Sequence, residues 1–356
     1  VPATPKVSVV IAYHNGSKWI ERALESVATQ TVLPEEIIVV DDGSSPEESK
    51  FLSGLQGKHD FKIVHQENGG QSSARNNGIS KASSEYVSLL DQDDYYLPKH
   101  IEVLLEAADF SDPNFAFSYG DLWRVNESGM VLAQSCVNLE SNHPHLDLKA
   151  LVGTNMYILP SAALIKREIF LAVGGYDEEL RGYEDDDLFL RLFLAGYTNR
   201  FTPQAVTAWT LNTSSTSFSE SMARSRFIYF KKLVKLFPDG SVVGTRVFGD
   251  LLFKRFAEQF AYDVVFSVFN NGADFSERVS RLAEYRQMVS LSLEVPSIQK
   301  RKYLISTFPL VTFGPKFIRV TLKLLIKTGI LSILPGFRSQ HDVIRMLVPR
   351  KSALRS

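Results

Sequence analysis

The tightest constraint in this sequence is a pattern met at two places, an apolar run that stops abruptly on a cluster of aspartates. Residues 37–40, Ile-Ile-Val-Val, end on Asp41-Asp42-Gly43-Ser44, and residues 86–90, Tyr-Val-Ser-Leu-Leu, end on Asp91-Gln92-Asp93-Asp94. Short apolar runs bounded by turn residues predict buried strands. Segments of helical period lie between them. In the first, Ile20, Leu24 and Val27 fall on one face and Ser17 is placed to cap the helix. Strands alternating with helices predict an α/β sheet, and in open sheets of that kind ligands bind beyond the carboxyl ends of the strands. Both acidic clusters are therefore expected on one rim.

The same patterning predicts strands at 7–12, 62–65, 115–119 and 163–166. Helices are expected at about 47–55, from Gly70 to about Ala82, and from near Asp185. After Ser217 the pattern turns mainly helical and rich in Phe. A domain over 1–217, a helical extension over 218–300 and a basic tail over 301–356 follow, as befits a chain longer than one usual core. The Phe-rich helices are a candidate homo-oligomer contact.

Hydrophobic residues at 44% and charged residues at 22% exclude a disordered chain. The single cysteine, Cys136, excludes an internal disulfide framework and a cysteine-rich zinc site. The first residues run straight into the strand at 7–12 with no leader pattern, and no stretch offers roughly 18 consecutive apolar residues. A cytoplasmic enzyme is expected. The seven histidines show no metal-ligand spacing, and those of His143-Pro144-His145 are expected in solvated loops. No phosphate-cradling Gly-Lys-Ser/Thr or Gly-x-Gly-x-x-Gly motif occurs, which disfavours nucleoside-triphosphate hydrolases and dinucleotide oxidoreductases.

Charge is unevenly spread. Residues 301–356 carry 11 Lys and Arg against one acid, Asp342, whereas the first 300 carry 28 bases against 39 acids. Over 315–335, Lys316, Arg319, Lys323 and Lys327 project within about 80° on a helix whose remainder is nearly all apolar. That composition predicts a peripheral contact with anionic membrane, on its inner face for a cytoplasmic protein, and not nucleic-acid binding.

Four motifs can carry chemistry. Spaced carboxylates at Asp91 and Asp93 suit a hard divalent cation. Asp42 can accept from the N–H edge of a nucleobase. In Asn68-Gly69-Gly70-Gln71-Ser72-Ser73-Ala74-Arg75, the glycines permit close backbone approach and Arg75 sits one turn into a new helix. Glu184-Asp185-Asp186-Asp187 opens a helix after Gly174-Gly175-Tyr176-Asp177. Acids there suit the helix dipole, and one of them can also serve as a general base.

In this order and spacing the motifs resemble those of family-2 inverting glycosyltransferases of the GT-A type, over about residues 6–217. The resemblance implies a GT-A, Rossmann-like mixed sheet flanked by helices. It implies a nucleotide-sugar donor, UDP-linked because Asp42 and Arg75 match a uracil-binding pair, with Ala12, Tyr13 and Gly70 also on the donor. It further implies Asp91 and Asp93 on ribose, diphosphate and Mn²⁺ or Mg²⁺, Asp185 as base with Glu184 beside it, and a glycan or glycolipid acceptor. Arg191 follows the Glu-Asp pair at the family's distance. One departure stands out: where many members carry an aromatic-Arg-x-His segment, this chain reads Trp209-Thr210-Leu211-Asn212. Rival readings are a sugar nucleotidyltransferase and a non-catalytic carbohydrate-binding protein of the same fold.

Overall fold

The computed structural model describes residues 5–140, 143–211, 220–242, 244–270, 272 and 274–327. The chain divides into two compact units, Val1–Leu151 with Met156–Ser217, and Val152–Asn155 with Phe218–Ser356.

Among the described residues the first unit is built on nine strands: β1 (Val7–Tyr13), β2 (Glu36–Asp42), β3 (Lys62–Gln66), β4 (Tyr86–Asp91), β5 (Tyr95–Tyr96), β6 (Phe115–Asn126), β7 (Val131–Ala133), β8 (Ala163–Lys166) and β9 (Thr198–Leu211). They form one mixed sheet in the order β3-β2-β1-β4-β8-β6-β9-β5, with β7 paired to β6. The first four strands run parallel and β8 is antiparallel to β4. Register sets the function of this half: Ala12 lies opposite Val40 on one side and Asp91 on the other, and Tyr13 lies opposite Asp41. Three strand ends therefore finish at one level.

Helices α1 (Ile20–Ala28), α2 (Pro46–Leu55) and α3 (Gln71–Lys81) connect those strands. Ile20, Ala23, Leu24 and Val27 of α1 are all fully buried, as the helical period predicts. Ser17 does not cap α1. Its N–H and hydroxyl donate to Glu48 of α2 instead, at 2.9 and 2.7 Å. In α3, a Cβ on Gly78 would lie 2.3 Å from Val10 Cγ1, so glycine here is what lets the helix seat on the sheet. α4 (His100–Ala107), α5 (Val137–Glu140), α6 (Leu148–Gly153), α7 (Arg167–Ala172) and α8 (Glu184–Leu194) follow.

His145, expected in a solvated loop, is buried, His143 beside it is half-buried, and His100 is fully buried. His100 stacks on Tyr96 at 3.5 Å and lies 2.8 Å from Ser88 Oγ, and burial pushes its pKa down to about 3. His143 meets the Tyr119 hydroxyl at 2.8 Å, and burial beside His145 pushes it down to about 4. His145 is buried against the Met156 carbonyl at 2.7 Å. Ser88, Tyr96 and Val206 hold His100, and Tyr119 and Phe201 flank His143.

The second unit is helical: α9 (Glu220–Leu236), a π turn Val247–Leu252, α10 (Phe253–Phe269), α11 (Phe275–Leu291), α12 (Ser297–Thr312) and α13 (Pro315–Lys327). Phe230, Phe256, Phe260 and Tyr285 meet ring to ring inside it. These aromatic side chains form its core. No helix among the described residues is long and apolar enough to cross a membrane.

Candidate active site

The two aspartates ending β2 face opposite ways, as successive residues of a strand must. Asp41 accepts from Ser44 N–H at 3.1 Å and Ser49 Oγ at 2.5 Å. Burial works against its charge, but these hydrogen bonds prevail and hold its pKa below the usual value. Asp42 takes Gln66 Nε2 and Gly69 N–H on Oδ1 and Gly70 N–H on Oδ2, each at 2.8 Å. It thereby fixes the loop whose φ of +88° at Gly70 turns the chain into α3. Gly70 thus acts through its backbone.

Within α3, Ser72, Arg75 and Asn76 share one face, at the spacing i, i+3 and i+4. All three engage the segment leading into α8. Ser72 Oγ donates to Leu180 O at 2.9 Å, and Asn76 pairs with the backbone of Tyr176 through Nδ2 at 2.9 Å and Oδ1 at 2.8 Å. Arg75 bridges two acidic clusters, donating to Asp91 Oδ1 at 2.5 Å and Glu184 Oε1 at 2.9 Å. Burial disfavours its charge, yet the ion pair with Asp91, together with Glu184, raises its pKa above the ordinary value. The guanidinium lies 5.5 Å from the Tyr176 ring.

The α8 start is clamped from behind. Arg191 binds Asp187 at 2.8 Å and the carbonyls of Val173 and Gly175 at 2.6 Å each. A left-handed residue, Tyr183 at φ 64°, precedes Glu184. Held this way, Asp185 receives the Asp186 N–H at 2.8 Å, while desolvation and the charges of Glu184 and Asp186 raise its pKa well above the usual carboxylate range. An unusually basic carboxylate in a cleft is what proton abstraction requires.

Beyond β4 the third carboxylate, Asp94, is buried between Thr210 N–H at 2.8 Å and Ser161 Oγ at 3.3 Å. Burial, then the charges of Asp91 and Asp93, push its pKa well up. Arg22 of α1 donates to the Asp93 carbonyl at 2.7 Å and Thr210 Oγ1 at 3.0 Å, holding the Asp93 turn to the end of β9.

These groups line a cleft of about 560 Å³ that contains Ala12, Tyr13, Asp42, Arg75, Asp91, Asp93, Glu184 and Asp185. Tyr13 turns its hydroxyl away, donating to Glu48 at 2.6 Å. His14, Trp19, Gln71, Asp94 and Trp209 line the same cleft and were not singled out from sequence. Gln71, next to the glycine pair, and Asp94, within the acidic stop after β4, offered local cues. Asn212 and the Ser/Thr stretch after it lie outside the described residues.

Residues 8–174 match the model of glycosyl transferase family 2. The chain carries a family 2 glycosyl transferase domain. It is 35% identical over 127 residues to an uncharacterized glycosyltransferase of Rickettsia bellii, covering 36% of this chain and 18% of that protein. Over 199 residues it is 29% identical to glycosyltransferase GlyG of Streptococcus pneumoniae, 53% of this chain and 65% of that one. With the chondroitin synthase of Pasteurella multocida it shares 28% over 193 residues, 54% of this chain and 19% of the synthase. The match thus spans about a fifth of the Rickettsia and Pasteurella proteins.

Solved structures share the GT-A fold of the family 2 domain. S. aureus TarS superposes with a TM-score of 0.54 at 16% identity, over 98% of this chain and 56% of that one. The mannosyltransferase PcManGT from Pyrobaculum calidifontis, in complex with GDP-Man and Mn²⁺, gives 0.53 at 15%, over 97% and 86%. The family 2 match ends at residue 174, so Glu184, Asp185 and β9 complete the cleft from outside the matched stretch.

Proposed function

We propose that this chain is an inverting glycosyltransferase that moves a sugar from a nucleoside-diphosphate donor to a hydroxyl of a glycan or glycolipid. The observation that carries the reading is the cleft position of Asp185, whose carboxyl is held unusually basic by desolvation and by its acidic neighbours. Asp185 takes the acceptor hydroxyl's proton as that oxygen attacks the anomeric carbon, and the carbon–oxygen bond to the diphosphate breaks on the opposite face. A positioned base of this kind is worth about 10²- to 10⁴-fold in rate. Arg75, fixed between Asp91 and Glu184, sets the distance between the donor end and the base end of the cleft.

Asp91 and Asp93 fit a divalent ion, Mn²⁺ or Mg²⁺. Burial first, and then the charges of Asp91 and Asp93, raise the Asp94 carboxyl, and the second of these causes marks negative charge suited to a cation. Among the described residues no three His, Cys, Asp or Glu side chains converge on one point, so one or two carboxylates and the donor's own phosphates would hold the ion. When bound, it neutralises charge building on the leaving diphosphate. A uridine donor is favoured because Asp42 and Arg75 both line the cleft.

The test is release of free nucleoside diphosphate from a panel of nucleotide sugars with Mn²⁺ or Mg²⁺. Metal-dependent release from one donor, lost in Asp185→Asn, is the expected result. Release that is unchanged in Asp185→Asn refutes the base assignment, and failure to bind or turn over any donor refutes the reading as a whole.

A further inference from the structure

Helix α13 is apolar on two opposite sides, and among the described residues only one of them is covered. Packing on α10 buries Ile318 and Leu322, which are 3% and 5% exposed. Arg319, expected to join a solvent-facing basic stripe, turns inward instead and donates from Nε to the Val268 carbonyl at 2.8 Å. On the outer side Phe317, Val320 and Leu324 are 54%, 62% and 63% exposed. At about 100° per residue these three occupy an arc of roughly 60°. Phe313, 40% exposed, extends the stripe, its ring centroid 4.5 Å from that of Phe317.

Exposed Lys316 and Lys323 run along one edge of that stripe, within about 60° of Val320. Residues 295–341 hold eight Lys and Arg and no acid. A second copy docking through the same stripe would bring like charges together with no carboxylate of residues 295–341 to balance them. An anionic bilayer meets both demands at once: the apolar stripe enters the acyl boundary while the lysines stay at the phosphates. Lys316, Arg319 and Lys323 interrupt its apolar residues, and no helix among the described residues is long and apolar enough to span, so it would lie along the surface.

We propose that α13 docks the chain on a bilayer carrying anionic lipid, through Phe313, Phe317, Val320 and Leu324, with Lys316 and Lys323 on the headgroups. This goes beyond the transferase reading and does not depend on it. The test is co-sedimentation of the full chain with vesicles of phosphatidylcholine alone or mixed with phosphatidylglycerol. Binding is expected only to the mixed vesicles, falling as salt rises. Phe317→Asp/Leu324→Asp changes exposed side chains only and is expected to weaken binding by tenfold or more, with the circular dichroism spectrum unchanged. Lys316→Gln/Lys323→Gln is expected to weaken it less and to flatten its salt dependence. No vesicle binding by the parent chain, or binding undiminished in Phe317→Asp/Leu324→Asp, overturns the proposal. So does a dimer in vesicle-free solution that the same double substitution dissociates.

Discussion

At the end of β2, Asp41 gathers hydrogen bonds from Ser44 and Ser49, and its charge is held more firmly than in water. Beyond β4 and at the start of α8, Asp94 and Asp185 sit among other carboxylates with fewer donors, and both are pushed toward the protonated form. The residue type is one and the same, and the balance of burial and like charge against hydrogen-bond donors separates the two outcomes. Where donors outweigh burial, an aspartate builds a turn. Where burial and neighbouring carboxylates outweigh them, it keeps basicity that chemistry can use, at a cost in stability.

The sharpest break in this contrast is Asp185→Asn. Turnover should fall by about 10²- to 10⁴-fold while nucleotide binding, followed by calorimetry, stays within a small factor. Thermal stability should rise, because a carboxyl whose folded pKa exceeds its unfolded value destabilises the fold at neutral pH. Equal loss of binding and turnover would return Asp185 to the structural group.

Arg75 joins the two kinds of site, and Arg75→Met tests how much that junction matters. It strands Asp91 and Glu184 beside each other in a buried setting, where loss of one partner costs about 3–5 kcal/mol. Chemical denaturation should reveal a drop of that size. A loss under about 1 kcal/mol would mean that Asp91 and Glu184 relax into solvent and that the bridge organises little.

Asp41→Asn probes the satisfied end. Its folded pKa lies below its unfolded value, so its contribution is present above about pH 4 and is lost as pH falls through the folded value. At neutral pH the substitution should cost about 1–3 kcal/mol, because it swaps an acceptor for an amide beside Ser49 Oγ. Denaturation curves of parent and variant should therefore differ at pH 7 and draw together as pH falls below about 4.

How much of this was legible depended on the range of the interactions. Strands β1 to β4, α3 and the opening of α8 were legible because their signals are local: apolar runs, acidic stops and the glycine pair at 69–70. β6 runs on to Asn126 past the predicted stop near Tyr119, since its Asp121 is buried with the N–H groups of Cys136 and Val137. Arg22 looks like an ordinary helix-surface base; its partners, Asp93 and Thr210, lie 71 and 188 residues away. His100 was missed for the same reason, its cage coming from β4, β5 and β9. Asp94 passed for one more turn residue beside Asp93.

That last residue gives the finest test of the comparison. Asp94→Asn preserves the shape and can still accept from Thr210 N–H while donating to Ser161 Oγ, so no bond need be lost. What it removes is a charge that burial and the neighbouring Asp91 and Asp93 disfavour. Since the folded pKa lies above the unfolded one, the destabilisation sets in as pH rises from about 4 and persists at neutrality. The variant should gain about 1 kcal/mol at pH 7, a rise of roughly 2–4 °C in Tm, and nothing at pH 3, opposite in sign to Asp41→Asn. If Asp94 helps to concentrate negative charge for a divalent ion, the same variant should also need more Mn²⁺ for half-maximal donor binding. A stability gain without any shift in metal requirement would confine Asp94 to the packing of the turn and leave the ion to Asp91 and Asp93.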